Sequence, residues 1–168
     1  LSSDATSLTT NAHEFADMLS FGMGTARVEN GGGEKAVQIV PKFGVVATDS
    51  FIGNSGCNIL THTKDDRFSV FEDDRICLKM DHIKGAISAM KSLGSEDEIE
   101  LTVSEARLMI AFPGTEIHIR RLEEGLVGKV PTQVLDDSSD RSSSFMIAGD
   151  SLQRILKLMA AVSLPEKK

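Results

Sequence analysis

Asp49 and the four histidines, His13, His62, His82 and His118, have the side chains that acid–base or metal chemistry needs, and their spacing gathers none of them. Asp49 follows the strand-like run Val45-Val46-Ala47-Thr48, where α/β enzymes often hold an acid, but no His, Lys or second acid is set beside it. A turn-forming Asp is the simpler account. No two histidines share metal-ligand spacing on one element, and no Gly-x-Ser-x-Gly elbow is present. Gly22, Gly24 and the run Gly31-Gly32-Gly33 invite a phosphate-loop reading, but neither follows a strand and opens a helix, and no Gly-Lys-Ser/Thr occurs. Cys57 and Cys77 are flanked by apolar, strand-like sequence and belong to no Cys-x-x-Cys or Cys/His cluster. They read as buried thiols, although their spacing alone also permits a disulfide. The residues therefore predict no catalytic group, no metal site and no cofactor.

The basic residues of the helical segments carry a more specific signal. Lys84 and Lys91 are seven apart in a helical stretch whose apolar face is Ile83, Ala86, Ile87 and Met90. On a helical wheel both fall about 80–100° from Ile83. Ser88, Ser92 and Gly85 lie beyond them and would let a surface approach closely. In a later helical stretch Arg154 and Lys157 lie opposite the stripe Leu152, Ile155, Leu156 and Met159. Residues 79–94 carry a net +2 and residues 144–164 a net +1, so the rest of the chain carries −10. One reading is a solvated charged face. The other is a polyanion-facing helix layer in an acidic protein, whose isolated phosphate contacts would be weak and salt-sensitive.

The elements that position these residues repeat. A helix over about 9–26, with Asn11 as N-cap and Glu14 completing a capping box, has Phe15, Met18, Leu19 and Gly22 as its buried stripe. Strand-like runs follow near 36–48 and 56–62, broken by Pro41 and Gly44. Residues 63–76 form a charged connector with one short strand around Phe68, Val70 and Phe71. A second helix over about 79–93, capped by Asp81, leads into alternating runs at 98–103, 107–112 and 115–122, a three-stranded antiparallel meander with one wet face. Gly125, Gly128, Pro131 and Asp136-Asp137-Ser138-Ser139-Asp140 mark a linker. Strand-like Phe145-Met146-Ile147 and a helix capped by Asp150 or Ser151 then start a third copy, at 144–164, which the sequence does not complete. The expected division is a flexible leader over 1–7, one domain over 8–131 in halves 8–62 and 76–131, a linker over 132–143, and the first strand and helix of a following domain over 144–168. Two copies and a partial third suggest a piece of something larger.

Composition limits the function classes. The chain of 168 residues has a net charge of −7, and its overall field would repel a polyanion. With no Trp or Tyr and eight Phe, stacking of single-stranded nucleic acid on a rich aromatic surface is disfavoured. No apolar run is long enough to span a membrane, and residues 1–12 lack the basic start and apolar core of a signal peptide. A cytoplasmic setting is expected.

In pattern the chain resembles the bacterial and phage sliding clamp, the β subunit of DNA polymerase III. The strand Val45-Val46-Ala47-Thr48-Asp49 is similar to the family's apolar-strand-then-Ala-Thr-Asp passage, and residues 8–62 resemble the first half of a clamp domain. Ile76-Cys77-Leu78-Lys79, the helix after it, Glu98-Ile99-Glu100-Leu101, Arg107-Leu108-Met109-Ile110 and Val130-Pro131 resemble the second half. Residues 144–168 resemble the opening of the next domain, with Ala160-Ala161-Val162-Ser163 similar to that family's Ala-Val-Ser ending. The resemblance implies an α+β fold, a duplicated β-α-β-β-β domain with antiparallel sheets outside and two helices on the inner face. It implies a non-enzymatic processivity factor: a homo-oligomeric ring around duplex DNA, read without sequence specificity, that tethers a DNA polymerase and has a clamp loader as a partner. Lys84, Lys91, Arg154 and Lys157 would then face DNA. The alternative is a non-enzymatic interaction or self-association module of the same architecture.

Overall fold

Alternating apolar residues make half-buried strands, and apolar residues three and four apart make amphipathic helices; the chain uses both patterns twice in one order. The computed structural model describes residues 6–26, 35–50, 57–127, 130, 135 and 145–162. The first unit of pattern is β1 (Thr6–Asn11), α1 (Ala12–Thr25), β2 (Ala36–Val40), β3 (Gly44–Ser50) and β4 (Cys57–Thr63). The second is β5 (Ile76–Lys79), α2 (Met80–Lys91), β6 (Glu98–Val103), β7 (Arg107–Phe112) and β8 (Thr115–Arg120). The fold is α+β, with two antiparallel four-stranded sheets ordered β1-β6-β7-β8 and β4-β3-β2-β5.

Each unit gives its first strand to the other unit's sheet. β1 pairs with β6 from Thr6↔Val103 to Asn11↔Glu98, and β5 pairs with β2 from Ala36↔Lys79 to Ile39↔Ile76. The sheets also meet beyond β8, where Leu78 bridges Arg121 and the Leu122 N–H donates to the Cys77 carbonyl at 2.9 Å. The helices lie side by side against the sheets. Phe15, Leu19, Ile83, Met90, Ile99, Leu101, Leu108 and Ile110 are fully buried in one shared core. Burial of each such side chain stabilises by about 1.5–3 kcal/mol before ordering costs are subtracted.

The helix ends differ. The Asn11 side chain accepts from the Glu14 N–H at 3.0 Å, which is the N-cap half of the expected capping box, while the Glu14 carboxylate lies against Arg67 Nη2 at 3.4 Å; the Asn11 amide donates to the Ser95 carbonyl at 2.7 Å. Helix α1 starts at Ala12 and not at residue 9, because Thr9 to Asn11 are held in register with β6. Thr6 and Ser7 likewise belong to β1 and not to a leader. Asp81 is not the N-cap of α2. The chain passes directly from β5 into the helix, Lys79 is the cap residue without a side-chain bond, and the Met80 N–H donates to the Lys35 carbonyl at 3.0 Å. Asp81 sits in the first turn, where a carboxylate is favoured by the helix dipole.

The connector contains a 3-10 helix, Asp66–Val70, in place of the expected short strand. Its charges explain the difference. The Asp65 carboxylate accepts from the Arg67 N–H at 3.0 Å and from the Arg67 guanidinium at 3.0 Å and 2.7 Å, which closes the turn. That turn drives Phe68 into the core, fully buried, with its ring 6.0 Å from Phe15. The guanidinium beside Asp65 holds its carboxyl below the usual value, against the opposing effect of partial burial.

The chain divides into two units, Leu1–Leu135 and Asp136–Lys168. In the second, Phe145 to Ala148 have no strand pairing, contrary to the strand expected there, and α3 (Gly149–Val162) follows. The glycine run 31–33, the turn at 53–56, Pro131 and nearly all of the expected linker lie outside the described residues.

Gly44 closes the β2–β3 hairpin at φ +104°, where a Cβ would collide with the Thr63 carbonyl oxygen and stand 2.7 Å from the Asp65 backbone nitrogen. Gly44→Ala is expected to lower unfolding free energy by more than about 2 kcal/mol in urea titration. Gly24→Ala, at a helical site with nothing within 4 Å, should be neutral or stabilising by up to about 1 kcal/mol. The Asp65 contribution, with its folded value depressed, is fully present above the ordinary carboxylate range and lost as pH falls through the lowered folded value. Asp65→Asn should therefore cost about 1–3 kcal/mol at neutral pH, and the gap from the parent protein should shrink at about pH 3.

Candidate nucleic-acid interface

The sides of α1 and α2 turned away from the core expose few ionisable groups. Helix α1 exposes Glu14, Asp17, Ser20, Phe21 and Gly24, and it contains no Lys or Arg. Helix α2 exposes Asp81, His82, Lys84, Gly85, Ser88 and Lys91. Lys84 and Lys91 are thus on the surface, and each is held by a carboxylate. Lys84 Nζ lies 3.2 Å from Asp81 Oδ1, one turn earlier on the same helix. Lys91 Nζ reaches across the helix pair to Asp17 Oδ1 on α1. Both pairs are solvent-exposed, so each is worth at most about 1 kcal/mol.

The electrostatic result departs from what the lysines alone suggest. Within α1 and α2, two cations stand against Glu14, Asp17 and Asp81, a net charge of −1 with neutral histidines. Glu14 has its own cation, Arg67 Nη2 at 3.4 Å. The Asp81–Lys84 pair follows from i,i+3 spacing and was legible in the sequence. The Asp17–Lys91 pair joins residues 74 apart and required the helix packing to appear. On α3, Arg154 and Lys157 are exposed, and so are Leu152, Ile155, Leu156 and Met159 of its apolar stripe.

No family model and no curated protein matches the sequence. Solved structures do match in three dimensions. The chain superposes on the DNA polymerase III subunit beta from Pseudomonas aeruginosa with a TM-score of 0.56 over 90% of its length, at 16% identity. It also superposes on a sliding clamp from Pseudomonas aeruginosa bound to griselimycin, with a TM-score of 0.50 over 89%, at 13% identity. The fold is that of a sliding clamp. The chain spans only 38% and 37% of those two clamp chains.

The other residues with chemical potential are dispersed over the clamp fold. His13 Nε2 donates to the Leu93 carbonyl at 2.8 Å and ties α1 to the end of α2. His62 on β4 donates to the Phe43 carbonyl, and its ring meets Phe43 edge-on. His118 is in the other sheet, on the wet outer face of β8, with Nε2 3.2 Å from Glu116 Oε2 and Nδ1 3.4 Å from Arg107 Nη1. His82 is exposed on α2. Asp49 pairs through its backbone with Ile59, and its side chain and that of Cys57 lie outside the described residues. Among the described residues no three His, Cys, Asp or Glu are placed to hold a metal ion, and no helix is long and apolar enough to cross a membrane.

The far face of the β2–β5 pair is covered, which the alternating pattern at 36–40 does not reveal. Residues 122–127 fold back over it, bringing Leu122 and Val127 against Ala36 and Cys77. Arg75 fastens the cover, donating to Gln38 Oε1 at 3.2 Å and to the Glu124 carbonyl at 2.5 Å. Arg121, the residue before the cover, donates to the Ser104 carbonyl at 2.8 Å and pairs with Asp73 Oδ1 at 2.7 Å. Burial under this strap pushes the Cys77 thiol up. Alkylation of Cys77 at about pH 8, followed by peptide mass spectrometry, is expected to run at least about tenfold slower in the native protein than in urea.

Proposed function

We propose that the chain is a piece of a non-enzymatic DNA sliding clamp that helps to encircle duplex DNA in the cytoplasm and to tether a DNA polymerase. The observation that carries this reading is the superposition of 90% of the chain on a polymerase III β subunit. The duplicated unit with exchanged first strands supports it, since that arrangement leaves both helices on one surface of the domain. On this reading Lys84, Lys91, Arg154 and Lys157 meet phosphates, a homo-oligomer closes the ring, and a clamp loader opens it. Contacts of this number and exposure suit a sliding protein, because they hold the duplex without fixing it to a sequence.

A second reading has one observation in its favour: both lysines of α2 are already ion-paired, and the two helices sum to −1. It makes the chain an interaction or self-association module that keeps the clamp fold without DNA. Replacing Lys84, Lys91, Arg154 and Lys157 together by Glu separates the two. The clamp reading expects association with a mixed-sequence duplex at about 50 mM salt to fall by at least tenfold, with the thermal midpoint nearly unchanged. Unchanged binding, or none by the parent protein, supports the second reading.

A further inference from the structure

Every Lys in α1 and α2 is held by an aspartate: Lys84 by Asp81, and Lys91 by Asp17 across the helix pair. No other Lys or Arg lies in either helix. A lysine that arrives at a phosphate with its carboxylate brings almost no net charge. It releases fewer counterions from the duplex than a free lysine would, and it must first give up its partner. We propose that Asp17 and Asp81 are attenuating residues, which compete with DNA phosphates for Lys91 and Lys84 and so weaken the grip of the helix layer on the duplex. The proposal rests on the clamp reading.

The two pairs divide the task by geometry. Asp81 acts within one turn of its own helix, as an i,i+3 neighbour of Lys84. Asp17 acts from the neighbouring helix and draws Lys91 toward α1, which has no cation of its own. Both carboxylates are more than half exposed, at 65% for Asp17 and 72% for Asp81, so an incoming phosphate can displace them. Surface ion pairs of this kind are weak. They are weak enough for exchange during movement along DNA, and strong enough to lower affinity.

The test is fluorescence-anisotropy titration of a mixed-sequence duplex from about 50 to 200 mM salt. Asp17→Asn and Asp81→Asn are each expected to tighten binding about two- to fivefold and to steepen the log–log salt slope by up to about 0.9 per lysine. Glu100→Gln removes the same charge from the outer face of β6, away from both helices, and should leave affinity and slope close to the parent values. A merely structural role for the pairs would loosen the domain and would not tighten binding. Equal tightening by Glu100→Gln would reduce the effect to net charge and overturn the proposal. If Lys84→Glu and Lys91→Glu weaken binding while Asp17→Asn and Asp81→Asn leave it unchanged, the attenuating role fails and the clamp reading stands. If the Lys→Glu variants also bind as the parent does, the clamp reading itself fails.

Discussion

The exchange of first strands between the two repeat units is the constraint on which the rest of the domain depends. β1 completes the sheet of the second unit and β5 completes that of the first, so neither unit can close its sheet alone. Each exchanged strand runs straight into its helix, and the pairing register therefore also fixes where α1 and α2 begin. With both helix starts set, Phe15, Leu19, Ile83 and Met90 can point only into the common core. The opposite sides of the helices are left to solvent. Gly22 tightens the arrangement, since a Cβ there would stand 3.1 Å from Val37 Cγ1 on β2.

Much of this was legible in local sequence. Both helices and the meander follow from hydrophobic period, and Asn11 caps α1 as its spacing with Glu14 implies. The turn at Pro113-Gly114 follows from its residue types, and Gly114 takes the positive φ of +77° that it needs. What local pattern could not supply was long-range pairing. β1 was hidden because Thr6 to Asn11 is polar and alternates weakly, and only its partner β6 makes it a strand. The 3-10 helix in the connector depends on the Asp65–Arg67 fork, which charge counting treats as solvated surface. The strap over Cys77 is held by Arg75, which bonds a carbonyl 52 residues away. The candidate site divides in the same way. Helical spacing places Lys84 and Lys91 together, but Asp17 as the partner of Lys91 belongs to tertiary packing.

Electrostatics, more than shape, decides how this domain would behave on DNA. A chain at −7 meets a polyanion unfavourably, and the α1–α2 pair at −1 offers little attraction to offset that repulsion. Such a layer favours loose contact, which a protein that must slide can use, whereas a strongly basic layer would hold the duplex in place. The polar outer face of the β6–β7–β8 meander, with Glu100, Glu116 and His118, gives no comparable surface.

The most direct measurement is amide chemical-shift perturbation of the labelled chain on titration with a mixed-sequence duplex at low salt. The account predicts small, salt-reversible shifts concentrated at Asp17, Phe21, Lys84, Ser88 and Lys91 and at Arg154 and Lys157, with Glu100, Glu116 and His118 unmoved. Shifts confined to the outer face of the meander, or none at any site, would contradict it.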